Sequence, residues 1–169
     1  GLGDVYKRQD KMSSFPQPFS AGIFTASSHH PYVIPDRYKG VFPDGTLEIH
    51  KCIRYSDNAL RLFFEKASKE SWFENTLFVL TADHTNQTEH PEYWTDYGRY
   101  AVPIIFYTPD GDLKGYRGAI AQQIDIMPTV LSYLGYDKPY VSFGCDLLNT
   151  PAEDTLSLIH ISEPTRLQL

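Results

Sequence analysis

From Thr46 onward, apolar residues recur every three or four positions: Ile49, Cys52 and Ile53, Ala59 and Leu60, then Phe63 and Phe64. Glu48, Lys51, Arg54, Asp57, Arg61 and Glu65 fall between them. That spacing lays one apolar stripe along a helix and leaves its other face charged. It predicts an amphipathic helix ending near Ser68. The pattern then changes. Leu77-Phe78-Val79-Leu80-Thr81 is an unbroken run of apolar or β-branched residues. A strand wet on one face alternates, so this run predicts a strand over residues 75–82 covered on both faces, as in a parallel sheet flanked by helices. Helix and strand together make one unit of an α/β sheet.

The same reading extends along the chain. Residues 11–18 are polar and proline-punctuated, a loop. Residues 19–28 read as a short strand of small residues, which His29-His30-Pro31-Tyr32 ends. Residues 33–45 hold Pro35, Gly40, Pro43 and Gly45 and form an irregular crossing. Beyond the central strand, residues 85–99 are a long polar and aromatic loop with His90, Glu92, Trp94 and Asp96. A loop of this length in a compact domain is usually functional or disordered. Residues 100–107 predict a second buried strand with Pro103 near its start, and residues 108–112 a turn. Residues 122–134 predict a second helix with Asp125 near its N-cap, Pro128 in its first turn and Gly135 as its stop.

Composition narrows the class. A length of 169 residues fits one domain, and 41% hydrophobic residues exclude a disordered chain. Twelve Tyr and ten Phe imply large side chains around a sheet. A net charge of −6 without a basic cluster excludes nucleic acid as a partner. Cys52 and Cys145 fit neither a disulfide framework nor a zinc-finger spacing, and Cys52 reads as a small core residue of the first helix. No run approaches the roughly 20 apolar residues of a membrane span.

Both ends read differently. Asp4 to Gln9 back-translates as GAT GTG TAT AAG AGA CAG, and Leu156 to Ile161 as CTG TCT CTT ATA CAC ATC. The two are reverse complements and resemble a transposon-type sequencing adapter read in each direction. Residues 1–9 and 156–169 are therefore expected to lie outside the core, leaving residues 10–155 as the natural segment. Removing the ends lowers Lys+Arg from 15 to 12 and Asp+Glu from 21 to 19, a net charge of −7.

Candidate chemistry concentrates where the central strand stops, at Asp83-His84. Ligands of open α/β sheets sit beyond the carboxyl ends of strands. One carboxylate and one imidazole delivered there suit a divalent cation of Zn or Mn type. The plainer alternative is a capping Asp beside a surface His. His29 follows a strand of small residues that leaves open space, with His30 as its neighbouring competitor. His50 and His90 read as surface residues, and Tyr93, Trp94 and Arg99 as walls of a substrate site.

The order of motifs is distinctive: Thr25-x-Ser27-x-His29-x-Pro31, a helix with Tyr55-Ser56-Asp57, Asn75-Thr76-Leu77-Phe78-Val79 running into Asp83-His84, Val102-Pro103-Ile104, and Gln123-Ile124-Asp125-Ile126-Met127-Pro128-Thr129-Val130-Leu131. It resembles the carboxyl-terminal half of sulfatase-like enzymes of the alkaline phosphatase superfamily, most of all the lipoteichoic-acid-synthase-type phosphoglycerol transferases. The resemblance covers nearly all of residues 15–150. It implies a three-layer α/β/α sandwich, of which this segment holds the carboxyl-terminal portion, and phosphoryl or sulfuryl transfer at a metal site. By resemblance, Asp83 and His84 correspond to two metal ligands and His29 to a substrate-binding histidine. The cation implied is Mn²⁺ or Mg²⁺ rather than Zn²⁺ or Ca²⁺. The family's nucleophile and remaining acidic ligands lie upstream and match nothing here, so this segment alone is expected to be inactive. The implied substrate is a glycerophosphate or sulfate ester, in an extracytoplasmic domain tied to the cell membrane by an amino-terminal region. A true sulfatase, or a non-catalytic module on the same fold, are the alternatives.

Overall fold

The computed structural model describes residues 9–155. The expectations for residues 1–8 and 156–169 lie outside these. The chain divides after Asp112 into two compact units, where the length alone implied one.

In the first unit, helix α1 (Glu48–Ala67) forms where the periodicity placed it. Its N-cap, Leu47, offers no side-chain acceptor. His50 substitutes, its Nδ1 accepting the Leu47 N–H at 3.3 Å, which satisfies one of the donors a helix start leaves open. The buried stripe is Ile49, Cys52, Tyr55, Phe63 and Ala67. Cys52 is fully buried, as expected. Ile53 and Leu60, expected inside, are exposed, and Tyr55 takes the central place instead, edge-on to Tyr38 and Phe42.

Two clusters divide α1. Its first half packs Ile49 and Cys52 with Tyr32, Ile34 and Leu47. Its second half packs Phe63 and Ala67 with Trp72, Phe73, Phe19, Phe64 and Phe78. The second cluster seats strand β1 (Phe78–Thr81), which pairs with β2 (Ile104–Tyr107). Phe78 faces Tyr107 across the ladder, ring centroids 5.9 Å apart, and both touch Phe64. Pro103 sits just before β2, where no ladder N–H is required of it.

Several expectations change. The pairing is antiparallel, in register Phe78↔Tyr107 to Thr81↔Ile104. Phe78, Val79 and Leu80 are half-buried and Ile105 is half-exposed, so the described sheet is not covered on both faces. An apolar run reports the capacity for burial; it does not encode the direction of the partner strand. Residues 19–26 carry no strand, since no described strand pairs with them, and a lone short strand does not persist. Gln9, expected outside the core, is fully buried. Its Nε2 donates to the Phe63 carbonyl at 2.8 Å, which compensates the burial of the amide nitrogen, while its Oε1 is buried without a hydrogen-bond partner among the described residues.

The second unit begins at Leu113. Helix α2 (Ile126–Tyr133) follows a 3-10 turn, Gln123–Asp125, so the expected single helix is two pieces. Gly135, at φ 69°, stops it as anticipated. Asp125 is buried, with Oδ2 accepting the Gln122 N–H at 2.7 Å and Oδ1 the Cys145 N–H at 2.9 Å. Thr129 Oγ1 donates to the Asp125 carbonyl at 2.6 Å and accepts the Leu147 N–H at 2.9 Å. These bonds hold residues 144–147 against the helix start so closely that a Cβ on Gly144 would lie 2.3 Å from the Ile124 carbonyl oxygen.

Candidate metal and substrate site

β1 ends at Thr81, and the chain delivers Asp83 and His84 just past its carboxyl end, both exposed. The backbone turn brings the two side chains together instead of to opposite faces. The His84 N–H donates to Asp83 Oδ1 at 3.0 Å. His84 Nδ1 lies 3.0 Å from the Thr85 carbonyl. A carbonyl only accepts, so Nδ1 carries the proton and Nε2 presents its lone pair. Nε2 stands 3.5 Å from Asp83 Oδ2. Two acceptors facing each other call for a cation between them, a proton or a metal ion.

The spacing fits a metal. Two donors each about 2.1 Å from one cation stand about 3.0–3.5 Å apart. The fixed Nδ1–H also matches the rule that a metal-binding histidine donates its other ring N–H to a carbonyl or carboxylate. Among the described residues, no group of three or more His, Cys, Asp or Glu gathers to hold a metal. The described donor set is therefore this pair, where a closed site takes about four ligands.

The neighbouring loop supplies a cleft. Thr85 N–H donates to the Arg99 carbonyl at 2.6 Å, folding residues 85–99 back on themselves. Two 3-10 turns, Pro91–Trp94 and Gly98–Tyr100, cross there, and a Cβ on buried Gly98 would lie 2.4 Å from Tyr93 Cα. Trp94 Nε1 donates to the Thr88 carbonyl at 3.1 Å, which fixes the indole. The loop is thus ordered, and its far side rests on α1, where the Ile49 N–H donates to Gln87 Oε1 at 3.2 Å. One hollow of about 270 Å³ is lined by His50, Glu89, His90 and Tyr93. A second, of about 370 Å³, is lined by Thr85, Asn86, Gln87, Tyr93, Trp94 and Arg99. Tyr93, Trp94 and Arg99 do wall a cleft. His50 and His90, read from sequence as plain surface residues, line one too. Only the folding back of the loop reveals this, and no local sequence signal carries it.

His29 lies in an exposed turn, not at the end of a strand. Its Nδ1 donates to the His30 carbonyl at 2.9 Å, leaving Nε2 open. Ser28 Oγ is 3.3 Å from Ser56 Oγ, so this turn is moored to α1 two turns beyond the residue that moors Gln87. The neighbouring His30 ring meets Tyr32 edge-on at 5.8 Å.

The cysteines are free thiols. Burial pushes the Cys52 thiol up, against the opposing charge of Lys51. Burial and the Asp125 carboxylate push Cys145 up as well. Neither is a ready thiolate nucleophile.

The profile of the family described as Sulfatase matches residues 6–136. Lipoteichoic acid synthase 1 of Bacillus subtilis is 28% identical over 87% of this chain and 26% of its own length. Lipoteichoic acid synthase of Staphylococcus aureus is 27% identical over 86% of this chain and 25% of its own. The chain thus spans about a quarter of the length of these relatives. A crystal structure of a protein in the alkaline phosphatase superfamily from Vibrio parahaemolyticus superposes with a TM-score of 0.72, at 28% identity, over 89% of this chain and 38% of the other.

Proposed function

The chain belongs to the sulfatase family, and from that premise we propose that it is part of a metal-dependent phosphoryl-transfer enzyme. The reaction is transfer or hydrolysis at a phosphodiester of an envelope glycerophosphate polymer or lipid. The α/β fold and the likeness to lipoteichoic acid synthases support this reading. One observation carries it furthest: His84 Nε2 and Asp83 Oδ2 face each other at 3.5 Å with the other ring nitrogen held by the Thr85 carbonyl.

Asp83 and His84 would hold Mn²⁺ or Mg²⁺, completed by ligands outside this chain. A cation bound there supplies charge neutralisation for the phosphoryl oxygens and lowers the pKa of an oxygen nucleophile. Asp83 contributes negative charge to that site, and His84 a neutral nitrogen whose orientation the Thr85 carbonyl fixes. His29 donates through Nδ1 to the His30 carbonyl and would need a second proton, on Nε2, to hold a phosphoryl oxygen or to protonate the leaving alkoxide. The nucleophile would come from another part of the protein, as the family resemblance implies; Cys52 and Cys145, both with thiols pushed up, are not poised for that role. No described helix is long and apolar enough to cross a membrane. An extracytoplasmic domain anchored through another part of the protein is the setting that suits an envelope polymer.

The test is activity of the longer parent polypeptide on a glycerophosphodiester and, in parallel, on a sulfate ester, with Mn²⁺ or Mg²⁺. Asp83→Ala and His84→Ala should each lower phosphodiester turnover by at least about 100-fold. The 169-residue chain alone should show none. Turnover confined to the sulfate ester, or undiminished in both variants, would overturn the reading.

A further inference from the structure

Helix α1 starts without the side-chain acceptor that a helix start ordinarily has. An N-cap side chain takes a hydrogen bond from the N–H two or three positions on, and the N-cap here is Leu47. Ile49, the second helical residue, is buried, which limits water as a substitute. The acceptor comes instead from 38 residues along the chain: Gln87 Oε1 lies 3.2 Å from the Ile49 nitrogen. Only the oxygen of an amide accepts, and here it meets the partial positive charge of the helix start. Gln87 stands two residues beyond Thr85, whose carbonyl accepts from His84 Nδ1 at 3.0 Å. Thr85 is fixed on its other side, its N–H on the Arg99 carbonyl at 2.6 Å. The peptide that carries the Thr85 carbonyl is therefore pinned before it by Arg99 and after it by α1. With each peptide planar, few rotations remain to turn that carbonyl away from His84.

We propose that Gln87 is a positioning residue for His84: seated on the start of α1, it holds the Thr85 carbonyl against Nδ1 and so keeps Nε2 unprotonated and facing Asp83. The use of this clasp rests on the metal-dependent phosphoryl-transfer reading; its geometry does not. A neutral imidazole carries one N–H, and the hydrogen bond made by one nitrogen decides whether the other is left as a ligand. An imidazole without such a partner favours the proton on Nε2, where it would block a cation. Gln87 itself touches neither His84 nor Asp83 and acts through Thr85. The first turn of α1 thus serves the Asp83–His84 pair, although it lies more than thirty residues before it in the chain.

Gln87→Met keeps the length of the side chain and removes the acceptor, whereas Gln87→Glu keeps an acceptor that a helix start favours. Nitrogen-15 shifts of the imidazole rings, read in the metal-free 169-residue chain above the ordinary histidine range, report which nitrogen carries the proton. A His84→Gln spectrum assigns His84 among the six histidines. The unsubstituted chain should hold the proton on Nδ1. Gln87→Met should move it to Nε2 in most molecules, Gln87→Glu should keep it on Nδ1, and Asn86→Ala, one residue nearer to His84, should leave it in place. Circular dichroism checks that α1 is intact. Should Gln87→Met unfold, Gln87→Asn, whose amide is one methylene short of Ile49, makes the same comparison. A merely structural role for Gln87 would lower the urea midpoint and leave the His84 proton on Nδ1, and that result would overturn the proposal. In the longer parent polypeptide, Mn²⁺ titration followed by electron paramagnetic resonance should show binding about 10–100-fold weaker in Gln87→Met. A proton shift in Gln87→Met, with no Mn²⁺ bound even by the unsubstituted polypeptide, supports the clasp and counts against the metal reading. Equal Mn²⁺ binding with no proton shift counts against the clasp alone.

Discussion

Truncating Phe78 to Ala probes the packing that holds β1, and through it the Asp83–His84 pair, in place. Phe78 is half-buried, and its ring meets Phe64 at 5.1 Å, Phe73 at 5.5 Å, Tyr107 at 5.9 Å, Phe63 at 6.2 Å and Trp72 at 6.4 Å. Phe→Ala at a fully buried site costs about 3–5 kcal/mol. Partial burial lowers the transfer and cavity part to about 2 kcal/mol. Losing the two closest ring contacts adds about 1 kcal/mol. The expected total is about 3 kcal/mol, a large share of the roughly 5–15 kcal/mol that holds a domain folded. With a urea dependence of about 1.5–2 kcal/mol per molar, the midpoint should fall by about 1.5–2 M. Emission of buried Trp72, measured in a Trp94→Phe background, follows the transition. Phe78→Leu keeps most of the volume and should cost less than about 1.5 kcal/mol. A Phe78→Ala midpoint within about 0.5 M of the parent chain would refute this account of how the strand is seated.

Other outcomes follow from groups whose titration is displaced. Burial raises the Asp146 carboxyl, but hydrogen bonds from Ser132, Asn149 and the Leu148 and Asn149 amides outweigh it and hold it below its ordinary value. A lowered carboxyl stabilises the fold above the unfolded pKa of about 3.9 and loses that contribution as pH falls through the folded value. The protection of the Leu148 amide, which donates to Asp146 Oδ1 at 2.9 Å, measured relative to its intrinsic exchange rate at each pH, should therefore fall only at acid pH. Asp146→Asn should remove the dependence, and an unchanged profile in that variant would contradict the assignment. Cys52, buried with its thiol pushed up, should react with a thiol reagent at neutral pH only as the chain unfolds. Prompt labelling of Cys52 in the folded chain would show that α1 does not cover it.

How far the sequence could be read depended on how local each signal was. The helix over Glu48–Ala67 repeats its stripe through five turns, and that redundancy survived the misplacing of Ile53 and Leu60. Phe78–Thr81 was legible as a strand because an apolar run ended in polar residues, but its antiparallel partner lies more than twenty residues away across the loop. Residues 19–26 had a strand's composition without a partner to pair with. Asp83 and His84 were legible as a pair because their position at the strand end is itself a chemical signal, and the structure brings their donor atoms together. The cleft was legible only in part. Tyr93, Trp94 and Arg99 stood out as aromatic and cationic loop residues, whereas His50 and His90 enter it through the 2.6 Å bond from Thr85 to Arg99 and the seating of Gln87 on α1. Those contacts join residues distant in sequence and leave no periodic trace.

The central claim is that Asp83 and His84 hold one divalent cation. Diffraction from crystals of the longer parent polypeptide grown with Mn²⁺, collected on both sides of the manganese absorption edge, locates that ion without reference to activity. The account predicts one anomalous peak about 2.1 Å from both Asp83 Oδ2 and His84 Nε2, with His84 Nδ1 still on the Thr85 carbonyl. A peak coordinated elsewhere, or fully occupied manganese with His84 turned away from it, would contradict the claim.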